Sequence, residues 1–285
     1  LVRTKSDAVG LVVRGVSNPF YTDIIRAIER TITDAGFTMV MQQIGTCDDE
    51  VKCGAVMERE KRLQGIVFLG GRFDYTPADL AMLNIPFVCC SYSNRYGTLI
   101  EGEYSSVSIA DGDTAQQAVE ELYRHGHRRI AALISRPNDQ SISQLRYEGY
   151  VQALESHGIP VDPELVISTG GFGAKDAYRA VQEKMAENVD FTALFAIADS
   201  MAIGAMRALM DAGRRIPEDC SVIAIDGLEL SAYIEPPLTT LCQPMEEMGR
   251  RSAEILLDMV RHKGSHACEL LPTTLRQGRS VAAPR

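Results

Sequence analysis

Long apolar runs are missing from this sequence of 285 residues. None approaches the roughly 20 residues that a membrane-spanning helix needs, so we expect no membrane partner. The seven cysteines are an odd number, are scattered and include no C-x-x-C pair. This usage favours free thiols in a reducing compartment over a disulfide framework. We therefore expect a globular protein of the cytoplasm.

An excess of basic residues is also missing. The chain has 29 lysines and arginines against 38 aspartates and glutamates, a formal charge of −9, and its longest basic run is His127–Arg129. A surface that binds nucleic acid needs clustered basic groups to replace phosphate counterions. The composition therefore argues against direct DNA binding by this chain, and any role on DNA would need a DNA-reading part elsewhere.

Signatures of catalysis and of cofactor binding are absent as well. The sequence has no G-x-S-x-G motif and no P-loop, and the glycines of Thr169–Gly173 lack the full spacing of a dinucleotide fingerprint. His125 and His127 form an H-x-H pair, but no third metal ligand is in sight. We therefore expect no enzyme activity, no cofactor and no metal site.

What the chain does contain is an alternation of short apolar runs and helix-period segments. Ala8–Val13, Gly65–Leu69 and Ser221–Ile225 are apolar throughout, as are strands that are buried on both faces. Between such runs lie segments with helical spacing, of which one has apolar residues at Ala202, Ile203, Met206, Leu209 and Met210. Because the alternation runs twice, we expect an α/β protein of two similar lobes. Each lobe should be a mostly parallel sheet with helices on both faces, and a ligand cleft should lie between them.

Local signals predict where some of these elements begin and end. Asn18 is expected to cap the first helix, with Pro19 at its first helical position. Asp199 or Ser200 is expected to cap the helix after the apolar run that precedes them. A closing strand is expected near Leu270–Leu275.

Polar residues at strand ends are the first candidates for ligand contact, because ligands of parallel sheets bind outside the carboxyl ends of the strands. Asp226 follows the Ser221–Ile225 run, and its carboxylate could accept hydrogen bonds from ligand hydroxyls or an amine, or could simply cap a turn. Arg146, near a helix start, suits vicinal hydroxyls or a carboxylate. Phe172, between glycines, could stack on a sugar face or a planar base.

Further candidates lie in the first half of the chain. Phe20 and Tyr21 open a helix, and we expect one to face the ligand and the other the core. Arg72 and Ser91 lie just beyond strand ends. The predicted ligand-binding set is Asp226, Arg146, Phe172, Phe20, Tyr21, Arg72, Ser91 and Asp199.

A longer ordered pattern carries a family resemblance. Phe191–Pro244 contains LFA-x-x-D-x-MA-x-GA-x-RAL, G-x-x-IPED-x-SV-x-x-x-D and PPLTT-x-x-QP. It resembles the effector-binding domain of the lactose-repressor (LacI/GalR) family of transcription regulators. Gly126–Ile130 resembles the GH-x-x-I of that family, Arg146–Gly149 its R-x-x-G, Ser17–Tyr21 its NPFF loop and Leu275–Ser280 its closing segment.

The resemblance implies the type I periplasmic-binding-protein fold, with three chain crossings between its lobes. It implies a hinge remnant at residues 1–6, a first lobe of residues 7–109 plus 245–271 and a second lobe of residues 110–244 plus 272–285. The helix-turn-helix DNA-binding domain of the family is expected to be absent from this chain. By the same resemblance the protein would be a homodimer that reaches operator DNA only through that missing domain, with exposed first-lobe helix faces such as Asp48–Leu63 in its interface.

The resemblance also places Asp226 on a small effector, a sugar or sugar-like molecule first. Two positions depart from the family pattern, because Ala198 stands where sugar-binding members often have asparagine, and Ser91 where a strand often ends in aspartate. Arg146, Asp226 and Phe172 suit a pyranose, a furanose, a nucleoside or a purine. The alternative function is a sugar-binding protein for uptake, which would need an export signal, and an α/β enzyme is a third interpretation.

Overall fold

The computed structural model describes residues 7–15, 18–46 and 48–285. The hinge remnant expected at residues 1–6 lies outside the described residues, as does Ser17 of the expected NPFF-like loop. The chain divides into two compact units. One consists of the chain up to Ile109 together with Pro244–Leu271, and the other of Ala110–Gln243 together with Pro272–Arg285.

Within the described ranges most strands alternate with helices. The strands are β1 Ala8–Arg14, β2 Thr38–Ile44, β3 Gly65–Leu69, β4 Phe87–Cys90, β5 Ser106–Ser108, β6 Ile130–Ile134, β7 Val166–Ser168, β8 Ala193–Ala196, β9 Ser221–Asp226, β10 Thr239–Cys242, β11 Cys268–Leu270 and β12 Thr274–Arg276. The helices are α1 Tyr21–Asp34, α2 Glu50–Lys61, α3 Pro77–Leu80, α4 Asp111–Arg124, α5 Ile142–Ser156, α6 Ala174–Ala186, α7 Asp199–Asp211 and α8 Met245–His262. None of these helices is long and apolar enough to cross a membrane.

The first unit is built on a six-stranded sheet with the order β11-β5-β4-β3-β1-β2. All of its strand pairings are parallel. The central strand β3 is buried along its whole length, as its unbroken apolar sequence predicts. The strand ends that follow β1, β3 and β4 therefore share one edge of this sheet.

The second unit repeats the plan with the order β12-β10-β9-β8-β6-β7. Its pairings are parallel except for β10 with β12, which is antiparallel. Every residue of β6, β8 and β9 is buried. The predicted α/β fold of two similar, mostly parallel lobes is confirmed.

The closing strand expected near Leu270–Leu275 is in fact two strands in two different sheets. β11 pairs with β5 in the first unit, and β12 pairs with β10 in the second. The backbone N–H of Leu271 still donates to Ser108 O at 2.8 Å. Pro272 follows, and since it has no N–H to donate to a sheet, the pairing ends there.

Two predicted helix caps are wrong. α1 begins at Tyr21, and Asn18 instead forms a local turn in which its side-chain oxygen accepts from Phe20 N at 3.1 Å. Ala198 occupies the cap position of α7 and makes no side-chain cap. The reason is that both candidate side chains are used elsewhere, Ser200 as a donor to Phe172 O at 2.8 Å and Asp199 in the network described below.

Candidate ligand-binding site

Arg146 and Asp226, predicted separately from the sequence, are in contact in the second unit. Asp226 is the last residue of β9, and Arg146 lies in the first half of α5. Arg146 Nη1 is 3.3 Å from Asp226 Oδ1. Both side chains are buried. A buried charge is tolerated when it is paired in this way, and ligands of parallel sheets bind at the carboxyl ends of the strands.

A second carboxylate, Asp111, holds the same guanidinium. Arg146 Nε donates to Asp111 Oδ1 at 2.9 Å, and Arg146 Nη1 donates to the carbonyl oxygen of Ile197 at 2.5 Å. Asp111 is buried at the start of α4. Asp111 was not among the predicted residues, although an available signal was its position directly after the short segment Val107–Ala110, as Asp226 follows the apolar run Ser221–Ile225.

Gly149 explains why α5 brings Arg146 to this place. A methyl group at Gly149 would overlap the carbonyl oxygen of Gly112 in α4. Because Gly149 has no side chain, α5 can contact α4 at this residue, which is three positions after Arg146. Residues three apart lie on the same helix face, so the contact also places Arg146 next to Asp111.

Asp226 is held on the other side by Gln243, another residue that the sequence analysis missed. Gln243 Nε2 donates to Asp226 Oδ1 at 2.8 Å, and Gln243 N donates to Asp226 O at 3.0 Å. The φ of Asp226 is 136°, a backbone conformation that residues with side chains rarely adopt. Such strain persists where the surroundings enforce it, and it is concentrated at binding sites.

Burial raises the pKa of Asp226 to about 7. The guanidinium of Arg146 and the amide of Gln243 oppose this shift, and the nearby carboxylate of Asp199 adds to it. Burial also raises the pKa of Asp111, again against the opposing charge of Arg146. The cluster therefore holds more acid than Arg146 alone neutralises, and Asp226 titrates near neutral pH.

Asp199 is fully engaged within the protein. Its Oδ2 accepts from Gly227 N, Leu228 N and Ser231 Oγ at 3.1, 2.8 and 2.7 Å, and its Oδ1 accepts from Thr240 Oγ1 at 2.5 Å. A carboxylate has about four acceptor positions, so these bonds use its capacity. Asp199 therefore holds the loop that follows Asp226 in position.

Phe172 lies in the loop between β7 and α6 and is half-buried. Thr169 braces this loop, because its hydroxyl donates to Gly171 O at 2.5 Å. Ser200, the neighbour of Asp199, links this loop to the acidic cluster. The hydroxyl of Ser200 donates to the backbone carbonyl oxygen of Phe172. A half-buried ring on a braced loop remains available for stacking.

The remaining predicted residues lie in the first unit. Phe20 is buried in the core, and Tyr21 is half-buried with its ring centroid 5.7 Å from that of Phe20. The Tyr21 hydroxyl lies so close to Gly70 that a Cβ there would be 2.5 Å from it. The ring of Tyr21 is therefore more accessible than the ring of Phe20.

Ser91, just after β4, is buried with a φ of 56°.

Arg72 follows β3 and is surrounded by acids. Its Nε donates to Asp74 Oδ1 at 2.9 Å, and its Nη1 is 3.6 Å from Asp49 Oδ2. Its backbone N donates to Glu50 Oε1 at 2.7 Å. Glu50 is buried, and burial raises its pKa. Sequence analysis missed Glu50, because an acid in the first turn of a helix is commonplace.

Of the predicted residues, Asp226, Arg146, Phe172 and Asp199 lie in the second unit, and Phe20, Tyr21, Arg72 and Ser91 lie in the first. In the described part of the chain no three His, Cys, Asp or Glu side chains are grouped so as to hold a metal ion. With the amide of Gln243, the second unit offers a guanidinium, carboxylates and an amide, a set that recognises hydroxyl and amino groups.

Comparison with known proteins identifies the family. The model of a periplasmic binding protein-like domain matches residues 119–281. The transcriptional regulator MalR of Clostridium butyricum is 34% identical over 279 residues, which are 96% of this chain and 82% of that protein. The chain belongs to the LacI family of transcriptional regulators. The repressor CytR of Escherichia coli K12 is 32% identical over 275 residues, 94% of this chain and 79% of its own.

Solved structures agree with this LacI-family assignment. The complex of the transcriptional regulator CelR with cellobiose has a TM-score of 0.85 at 30% identity, with 97% of this chain and 85% of that chain covered. The lac repressor dimer bound to operator and an anti-inducer has a TM-score of 0.82 at 23% identity, with 99% and 96% covered. The second likeness concerns the fold alone.

Ala198, one of the two positions at which the sequence departs from the expected family pattern, is buried. The backbone carbonyl of the preceding residue, Ile197, accepts from Arg146.

Proposed function

We propose that this chain is the effector-sensing part of a bacterial transcription regulator and that its effector is a small polar molecule, most simply a sugar. The observation that carries the proposal is the buried contact between Arg146 and Asp226 at the carboxyl end of β9. A ligand held there would meet a guanidinium and a carboxylate, which together donate to and accept from hydroxyl groups.

The relatives support this proposal. Both curated relatives are HTH-type transcriptional regulators, and the CelR structure contains cellobiose. The lac repressor structure is a dimer on operator DNA. By analogy we propose that the protein acts in the cytoplasm as a homodimer, binds operator DNA through a helix-turn-helix and catalyses no reaction. These names favour regulation over the alternative of sugar uptake.

Ligand-dependent stabilisation of the chain tests the proposal. Thermal unfolding would be followed with cellobiose, ribose, sugar phosphates, nucleosides and purines, each in excess. A ligand at a hundred times its dissociation constant adds about 2.7 kcal/mol to the free energy of unfolding, enough to raise the melting temperature by several degrees. We expect a sugar to produce this rise and Asp226→Asn to abolish it.

The control is Asp190→Asn, which changes an exposed acid of the same unit. It should keep the full ligand response. A response from nucleosides or purines alone would transfer the proposal to that class. No response from any class in the unchanged chain would refute effector sensing by this set of molecules.

A further inference from the structure

A cavity of about 350 Å³ lies in the second unit, far along the sheet from Asp226. Its lining includes His127, Thr192 and Asp219, which come just before β6, β8 and β9 in the chain. The cavity therefore lies at the amino ends of these strands, whereas Asp226 is the last residue of β9. Its volume is within the usual range of small-molecule pockets, roughly 300–1,000 Å³.

Several polar groups in the wall of this cavity are already engaged. His127 has Nδ1 2.9 Å from Thr192 Oγ1 and Nε2 2.8 Å from Ala282 O. The carboxylate of Asp219 accepts from Arg215 Nε at 2.7 Å and from Arg215 Nη2 at 2.6 Å. These bonds hold the pKa of Asp219 well below its ordinary value. The imidazole and this carboxylate therefore have little capacity left for a ligand.

Arg214 contributes a guanidinium to the same wall. It follows Gly213, whose φ of 82° turns the chain after α7, and Arg214 N donates to Leu209 O at 2.9 Å. Arg214 Nη2 donates to the backbone carbonyls of Phe191 and Asp219 at 2.8 and 2.9 Å. The guanidinium is thus fixed by backbone groups of the protein.

The charge of this guanidinium is not matched. Among the described residues Arg214 forms no ion pair, and the carboxylate of Asp219 pairs with Arg215 instead. The Nε of Arg214 is buried and donates no hydrogen bond to a described residue. A half-buried cation in this state favours an anion, because hydrogen bonds from a guanidinium to a carboxylate or phosphate are strong and directional.

Other charges around the cavity limit the size of that anion. Asp190 and Glu218 also line it, together with the exposed Arg285. Asp190 is 74% exposed, so solvent and salt screen its charge. The cavity as a whole therefore has no strongly positive field, and the attraction comes from the fixed position of Arg214. A large polyanion would meet both acids, whereas a small one can contact Arg214 alone.

We propose that this cavity is a second ligand site and that it binds a small oxyanion, a carboxylate or a phosphate, through Arg214. The inference goes beyond the proposed function, because the site lies at the other end of β9 from Asp226 and takes an anion in place of a sugar. Pro217 and Pro284 line the cavity with apolar rings that have no N–H to donate, which leaves recognition of the charge to Arg214.

The test is thermal unfolding of the whole chain in rising phosphate and, separately, in rising citrate, with sodium chloride holding the ionic strength constant. Excluded anions stabilise folded proteins in general, and that effect does not saturate. We expect in addition a saturable rise in melting temperature with at least one of the two, which identifies the group as phosphate or carboxylate. Arg214→Gln should weaken this binding by about tenfold or more, the loss of a charge-assisted hydrogen bond.

A second variant tests the sign of the ligand charge. Glu218→Gln removes an acid from the cavity and no group that holds Arg214, so it should strengthen anion binding by about threefold. It carries the test if Arg214→Gln does not fold. Arg207→Gln, at the exposed surface of α7, is the matched control and should bind the anion normally. Asp226→Asn should also bind it normally.

Three outcomes would overturn the proposal. The first is an equal response of the unchanged chain and Arg214→Gln to both anions. The second is weaker binding by Glu218→Gln, which would show that the occupant is a cation. The third is loss of the saturable response in Asp226→Asn, which would move the anion to the sugar site. The sugar response is measured separately and should persist in Arg214→Gln, so the proposed function and this second site can fail independently.

Discussion

Arg146 and Asp111 form a buried ion pair between α5 and α4, with Nε 2.9 Å from Oδ1 and each side chain 2% exposed. The pair joins the start of α4 to the first half of α5, and the same guanidinium reaches Asp226 on β9. Three elements of the second unit therefore meet on one charged group. Removing Arg146 would leave buried carboxylates unpaired, and removing Asp111 would leave the buried Nε of Arg146 without its acceptor.

We predict that Asp111→Ala lowers the free energy of unfolding by about 3–5 kcal/mol, the usual effect of breaking a buried ion pair. Urea denaturation measures this change. Asp176→Ala is the control, because Asp176 pairs with Arg179 at the surface of α6 and such pairs contribute about 0–1 kcal/mol. Equal effects of the two substitutions would contradict the assignment of Asp111 to a buried network.

Stability should also depend on pH through Asp226. Its pKa is about 7 in the folded chain against an ordinary 3.8, so the folded state retains a proton that the unfolded state releases. This contribution to stability is complete below pH 3.8 and is lost as the pH rises toward 7. Asp226→Asn cannot ionise and should escape the loss.

The measurement is the difference in unfolding free energy between Asp226→Asn and the unchanged chain at pH 5, 6, 7 and 8. We expect the variant to gain in relative stability over this range and to level off above pH 7. Using the difference removes the histidines from the comparison, including His127, whose pKa burial lowers. A difference that does not change with pH would show that Asp226 is already ionised at pH 5.

Asp199 should matter for stability first and for ligand binding second. Asp199→Ala leaves the N–H groups of Gly227 and Leu228 and the hydroxyl of Thr240 without their acceptor, while the Ser231 hydroxyl retains Leu228 O. Since one buried unpaired group costs about 1–3 kcal/mol, a loss of at least 3 kcal/mol is expected in urea denaturation. Asp211→Ala, at the exposed end of α7, is the control. A loss below 1 kcal/mol for Asp199→Ala would contradict the network.

Gly149→Ala should impair the site more than its size suggests. The added methyl group would overlap Gly112 O and push α5 from α4. Overpacking of this kind costs about 1–3 kcal/mol. Because Arg146 is part of α5, a shift of this helix should displace Arg146 and lower the affinity for a bound sugar as well. Gly112→Ala is the matched control, since its methyl group would meet only Leu145 O at 3.6 Å, and both properties should be nearly unchanged.

Much of the fold could be predicted because strands buried on both faces have unbroken apolar sequences. For this reason β3 and β9 could be predicted from the sequence, and the end of the β9 run predicted Asp226 as a ligand contact. The R-x-x-G pattern at Arg146 is accounted for by the close helix contact at Gly149. The fold class is confirmed, while the lobe boundaries, the cleft and the ligand contacts stay predictions.

The missed residues share a physical reason. Asp111 and Glu50 stand in first helical turns, where an acid is favoured by the helix dipole whether or not it has another role. Gln243 acquires its role only through the pairing of β9 with β10, which brings it beside a residue 17 positions earlier. Asp199 was predicted as a helix cap and as a ligand contact. Its hydrogen bonds to Ser231 and Thr240, more than 30 residues away, could not be predicted from its place in the sequence.

The division of the last strands between two sheets has a consequence for anyone who wishes to exchange or express the units. β11 completes one sheet and β12 the other, and only residues 271–273 separate them. No single cut in the gene can therefore yield two whole units, because each unit is assembled from separate stretches of chain. A chimaera that exchanges a whole unit with another family member needs three junctions, after Ile109, Gln243 and Leu271. A fusion with one junction would place strands from both proteins in the sheets.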